Sequence, residues 1–199
     1  GQLDKTLINV VWLKRDLRLR DHQALVAAAQ HRLPVLLIYV FEPSVIADSH
    51  YDIRHWRFIW QSIVDLNSQL AAYHSRVIVF FKEAQNAFHQ LMKHFHIAGV
   101  YSHQEIGLAC TYKRDKAIAL LLNTEGIGWH EFSHGGVIRG VTNRRNWEQK
   151  WHAHMNAPCA DQPLNEVNWL ASEKSKMLDN SNVIPEGYKT SDPAFQLGG

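Results

Sequence analysis

Cysteine is scarce in this 199-residue sequence: Cys110 and Cys159 are the only two, and neither sits in a C-x-x-C pair. A disulfide framework and a cysteine zinc site are thereby excluded, and both thiols read as reduced packing residues. Long apolar runs are missing too, none approaching the ~20 residues that span a bilayer. The N-terminal stretch lacks the basic start, apolar core and small-residue cleavage site of a secretory signal. The expectation is a cytoplasmic protein without a membrane partner. An excess of one charge is also absent, with 21 Lys and Arg against 19 Asp and Glu and a formal net charge of +2. Nucleic-acid binding by this segment alone is therefore expected to be weak.

Several chemical signatures are missing as well. No G-x-G-x-x-G follows the first apolar run, and no G-x-x-x-x-G-K-[ST] or G-x-S-x-G occurs anywhere, which speaks against a dehydrogenase, a P-loop enzyme and a serine hydrolase. Gly135-Gly136 reads as turn geometry rather than a phosphate cradle. Of the 13 histidines, His89, His94 and His96, or His152 and His154, come nearest to clusters. Neither group has the i, i+4 pairing with a nearby Glu that a zinc helix uses, so solvated surfaces are expected and no metal. What remains is ordinary for a folded domain: 46% hydrophobic and 20% charged residues, in a chain long enough to bury a real core.

The apolar pattern alternates between two periods. Residues 7–13 (LINVVWL) and 35–41 (VLLIYVF) read as strands buried on both faces, with a helix over about 22–31 capped by Asp21 between them. Ile53, Trp56, Ile59, Trp60, Ile63, Leu66, Leu70 and Tyr73 recur every three or four residues, which predicts a long amphipathic helix with its tryptophans used in packing. Strands follow at 76–81, 97–101 and about 127–132. Helices are expected through Ala84–Phe95 and, capped by Thr111, through Ala117–Leu122. Five strands alternating with helices predict a Rossmann-like, doubly wound α/β sandwich, with a parallel sheet in the order 3-2-1-4-5 and ligands beyond the carboxyl ends of the strands. Trp147, Trp151 and Met155 suggest one more short helix. The domain is then expected to occupy residues 1–155, and the proline-rich, aperiodic stretch 156–199 reads as a linker lying over a surface. The absence of an initial methionine and the Gly198-Gly199 ending suggest a segment of a longer protein.

The segment Trp12-Leu13-Lys14-Arg15-Asp16-Leu17-Arg18-Leu19-Arg20-Asp21 stands where the first strand leaves the sheet. Its arginines and aspartates could lock this loop through bidentate ion pairs. The run, with Ala24-Leu25 after it, resembles the opening signature of the DNA photolyase and cryptochrome family, in which Trp-Phe-Arg is followed by Asp-Leu-Arg, Asp-Asn and Ala-Leu. Lys14 and His22 depart mildly from it. Further resemblances follow in order along the chain: Phe41-Glu42-Pro43, Arg57-Phe58 with Ser62 and Leu66, Tyr101 to Glu105, and Tyr112 to Asp115. Phe195 to Gly199 is similar to the stretch that opens the family's helical domain, with Leu197 in place of proline. Asn143 to Trp147 diverges from the usual pattern and points to a divergent bacterial-type branch.

The resemblance implies the N-terminal domain of a deoxyribodipyrimidine photolyase, which repairs ultraviolet-induced pyrimidine dimers with light. FAD would bind in a helical C-terminal domain beyond this segment, which is itself expected to carry no catalytic residue. This domain would serve as scaffold and as a site for an antenna chromophore, whether folate, deazaflavin, lumazine or flavin. Position nominates Lys14, Arg15, Phe41, Arg54 and Glu105 for that site, with the charged groups orienting the chromophore's polar edge and Phe41 packing on its ring. The partners implied are damaged DNA, reached through the whole protein, and the helical domain. The alternative is a cryptochrome-type blue-light receptor acting through protein partners; a stand-alone nucleotide-binding protein is disfavoured by the missing phosphate loop.

Overall fold

The computed structural model describes residues 5–105, 109–133, 138–139 and 163–190. Strand β1 (Thr6–Leu13) lies at the centre of the sheet. It is flanked by β2 (Val35–Phe41) and β3 (Ile78–Phe81) on one side and by β4 (Phe95–His103) and β5 (Gly128–Phe132) on the other. These five strands are parallel in the expected order 3-2-1-4-5. A sixth, β6 (Ile138–Arg139), which the sequence pattern did not indicate, pairs antiparallel with β5 at the edge.

Period-two alternation sends successive side chains of each strand into opposite layers. Val11 and Leu13 join Leu37, Tyr39 and Phe41 beneath helices α1 (Gln23–Ala29) and α3 (Ile53–Leu70). Ile8, Val10 and Trp12 join Leu36, Ile38 and Phe80 beneath α4 (Ala84–His94) and α5 (Ala109–Thr124). Both layers are almost free of polar groups, so nearly the whole of β1 and β2 reads as continuous apolar sequence. Asn9 is the exception among the buried residues of β1, and its amide donates to the Ala28 carbonyl at 3.0 Å.

Three local expectations need correction. His22, not Asp21, caps α1: its Nδ1 accepts the Leu25 N–H at 3.0 Å, while Asp21 adopts a left-handed backbone with φ 51°. Thr111 lies inside α5, two residues past its described start, and is buried. A short helix α2 (Pro43–Ser49), too brief to show a period, follows β2 with proline in its first turn. The expected helix around Trp147 and Trp151, the Gly135-Gly136 pair and the Phe195–Gly199 stretch lie outside the described residues.

Residues 163–190 run along the β3 side of the sheet in short 3-10 turns and end in one helical turn, Glu186–Lys189. Val167, Leu170, Leu178 and Ile184 are buried. Trp169 bridges to Val35, and the Leu170 N–H donates to the Val35 carbonyl. No described helix is long and apolar enough to cross a membrane.

Candidate functional site at the carboxyl ends of the strands

Beyond Leu13 the chain turns through a loop held by buried polar contacts. Asp16 Oδ1 accepts the Lys14 backbone N–H at 2.7 Å, and Oδ2 lies 2.5 Å from His22 Nε2 and 2.6 Å from His103 Nδ1. Burial, the largest influence on Asp16, would raise its pKa, but the hydrogen bonds from His103 and His22 outweigh it and hold the carboxyl well below the usual range. These three side chains form the candidate metal-binding group among the described residues. Yet His22 Nδ1 is already an acceptor for the Leu25 N–H, so the proton of the neutral ring sits on Nε2, facing Asp16. The arrangement is that of a hydrogen-bonded clamp, which ties the loop to α1 and to the end of β4. The ion-pair lock expected from the sequence is replaced: Asp16 takes histidines, and Arg18 donates to the Arg20 and Asp21 carbonyls.

Next to the clamp, β1, β2 and β4 end around a small cleft. Trp12, Lys14, Arg15, Tyr51, Glu105 and Arg114 are among the residues that line it. Arg114, 10% exposed, reaches from α5 and commits all three guanidinium nitrogens: Nη1 to Glu42, Nη2 to Glu105 at 2.5 Å and Nε to Asp115 at 2.7 Å. Its burial would lower its pKa, but Glu42, Asp115 and Glu105 more than offset that and keep it firmly charged. Lys14, with a side chain 4% exposed, lies 3.7 Å from Glu105 and 3.9 Å from Asp115. Its Nζ sits 4.0 Å from the centroid of the Trp12 ring, over which Arg114 Cζ also lies, at 4.8 Å. Burial first, and then Arg114, push the Lys14 amine below the ordinary lysine range, against the pull of Asp115, Glu105 and Glu131. At the rim, Arg15 donates to the Tyr51 hydroxyl, and the Tyr51 ring stacks on His55 with centroids 4.2 Å apart.

Of the five residues nominated from the sequence, Lys14, Arg15 and Glu105 meet in this cleft. Phe41 is placed one layer down, in the core, its ring against Tyr39, Trp56 and Tyr188. Arg54 occupies the exposed first turn of α3, away from the lining. Arg114 was missed as a site residue, although a signal existed: it falls on the same helical face as Thr111, Ile118 and Leu122, the buried residues of α5, where an arginine is out of place unless a buried partner receives it. Tyr51 and His55 gave no signal, since a loop residue and one helical histidine carry no pattern. His89, His94 and His96 are exposed as expected, His96 on a strand rather than a helix.

Comparison with known proteins places this geometry. The chain is 33% identical to Cryptochrome-2 of Gallus gallus over 122 residues, 60% of this chain and 20% of that protein, and 31% identical to Cryptochrome-1 of Sylvia borin over 124 residues, with similar coverage. It thus matches about a fifth of the length of these curated relatives. Among solved structures, a bacterial class III photolyase from Agrobacterium tumefaciens superposes with a TM-score of 0.55 and 25% identity over 65% of this chain and 26% of that one. A cryptochrome of Synechocystis gives 0.60 at 21% identity, covering 65% and 28%, and an archaeal photolyase from Sulfolobus tokodaii with two FAD molecules gives 0.56 at 22%, covering 63% and 29%. The family model described as DNA photolyase matches residues 9–153, well over half of the sequence. The chain therefore belongs to the DNA photolyase family, of which it has the N-terminal α/β domain.

Proposed function

We propose that this chain is the N-terminal domain of a deoxyribodipyrimidine photolyase and that the cleft at the end of β1 is its antenna-chromophore site. The observation that carries the reading is the cleft itself, a tryptophan floor with two stacked cations and balanced carboxylates at the ligand-facing edge of a doubly wound sheet. An antenna needs a firmly held planar ring shielded from water, and no bond chemistry from the protein. Tyr51, His55 and Trp12 supply aromatic surface, while Lys14, Glu105 and Arg114 supply donors and acceptors for a polar ring edge.

The chemistry fits such a group, whereas the closed volume of about 40 Å³ is on the order of one or two waters. A tricyclic ring therefore requires the cleft to widen, and on this reading the Arg15–Tyr51 contact is the one that gives way. In the whole protein, dimer splitting draws on an electron from light-excited reduced FAD, which the resemblance assigns to the helical domain. The residues of this domain hold and orient the light-collecting partner. The Sulfolobus tokodaii photolyase with two FAD molecules supports a second flavin-type group in the family.

A spectrum of the supernatant released by heat tests the reading. Near-ultraviolet or blue absorbance and fluorescence released from this chain, purified or first incubated with flavin and folate chromophores, is the expected result. Release only from the chain extended past Gly199 would reduce this domain to a scaffold. The second reading, a blue-light receptor working through protein partners, is favoured by the cryptochrome identity of the curated relatives. Repair of pyrimidine dimers by the full-length protein under light separates the two.

A further inference from the structure

Lys14 is out of keeping with its surroundings. Its Nζ is buried and has no hydrogen-bond partner among the described residues. The two nearest carboxylates are beyond hydrogen-bond reach, at 3.7 and 3.9 Å, because both are turned to Arg114. A buried ammonium without a hydrogen-bond acceptor is costly to maintain even with carboxylates at these distances.

Lys14 stands between two cavities: the aromatic cleft and a larger one of about 190 Å³ on the far side of Arg15. Lys14, Arg15 and Arg18 line the larger cavity, with Asp16 and Glu105. Both carboxylates are already engaged, Asp16 with His22 and His103 and Glu105 with Arg114 and, more distantly, Lys14. Arg15 and Arg18 bond only a hydroxyl and backbone carbonyls in the contacts they make here. Three cations against two carboxylates line this cavity, which leaves it net positive, and Lys14, whose Nζ makes no hydrogen bond, is one of the lining residues.

We propose that the larger cavity is an oxyanion subsite, in which Lys14, Arg15 and Arg18 hold the phosphate or carboxylate tail of the ligand whose ring occupies the adjoining cleft. This rests on the antenna reading, and the two can fail separately. The test titrates the full chain, at low salt, with two matched pairs: flavin mononucleotide against riboflavin, and folic acid against pteroic acid. The first isolates a phosphate and the second a glutamyl carboxylate.

The anionic member of one pair is expected to bind about tenfold more tightly or better, the worth of one charge-assisted contact. Lys14→Met should abolish that preference, and Arg15→Gln should reduce it. Should Lys14→Met fail to fold by circular dichroism, Arg15→Gln at the exposed rim carries the test. Equal affinities within both pairs, or a preference that survives the substitutions, overturn the proposal. If none of the four binds, the antenna reading falls and inorganic phosphate decides the subsite: a rise in Tm that the substitution removes sustains it, and no rise, or one that persists, overturns it.

Discussion

Polar groups are buried in two places at the margins of this sheet, and they are treated in opposite ways. Along the outer edge of β3, residues 179–180 satisfy the strand. Asp179 accepts the Val79 N–H at 2.8 Å and pairs with Arg76 at 3.2 Å, Asn180 accepts the Phe81 N–H at 3.1 Å, and the Asn180 N–H donates to the Val79 carbonyl at 2.6 Å. An edge strand that would otherwise offer unpaired backbone groups to another chain is closed by its own polypeptide. At the carboxyl end of β1 the clamp holds Asp16 close to both histidines, yet the Lys14 ammonium beside it has its carboxylates only beyond hydrogen-bond reach. At the edge the strand's backbone groups are matched, although Arg76 Nε also lacks a hydrogen bond; at the end of β1 it is a charged side chain next to a cavity that lacks one.

The contrast can be broken most sharply at the edge. Asp179→Ala removes acceptors from Val79, Ser181 and Arg76 together and should cost about 3 kcal/mol, read as a lowered urea midpoint with unchanged slope. Self-association by light scattering is expected to rise as the edge opens. Wild-type stability in this variant would mean that the strap only covers the strand.

A smaller loss, about 2 kcal/mol, is expected of Asp16→Asn, which leaves His22 and His103 without their charged acceptor. Because the folded Asp16 pKa is depressed below its unfolded value of about 3.9, its contribution is present above about pH 4 and is lost as pH falls through the folded pKa. The variant should therefore be less stable at neutral pH and show a shallower acid limb. An unchanged limb would assign acid sensitivity elsewhere.

The smallest effect is expected at Lys14→Met, within about 1 kcal/mol of wild type, since the desolvation cost of an ammonium without a hydrogen bond is removed together with its attraction to Glu105 and Asp115. The folded Lys14 pKa is lowered, so the wild type binds fewer protons folded than unfolded, and stability on its account rises with pH between the folded and unfolded values. The variant should lose that alkaline rise. A loss above about 2 kcal/mol would make Lys14 a structural residue and remove the contrast.

The sheet was readable because burial on both faces leaves a plain record. Runs such as 35–41 cannot be surface, and parallel strands require the crossover helices that the 3.6-residue periods mark. Boundaries slipped where a side chain acts in an unusual role: His22 as a cap leaves no compositional trace, and α2 is shorter than any period. Half of the cleft was legible by position, through Lys14, Arg15 and Glu105 at strand ends. The placement of Phe41 in the core follows from strand alternation, which puts it with Leu37 and Tyr39, and the exposure of Arg54 follows from its place before the buried face of α3.

The sequence by itself determined the fold class, the strand order and the family, because periodicity and the motif after β1 are local properties of the chain. Only the tertiary structure decided which charges meet. Arg114 joins Glu42 across 72 residues and Asp16 meets His103 across 87, and pairing over such distances is set by how helices dock on the sheet. That docking also leaves one ammonium, Lys14, buried without a hydrogen-bond partner among the described residues, an outcome visible only when all the neighbours are in place.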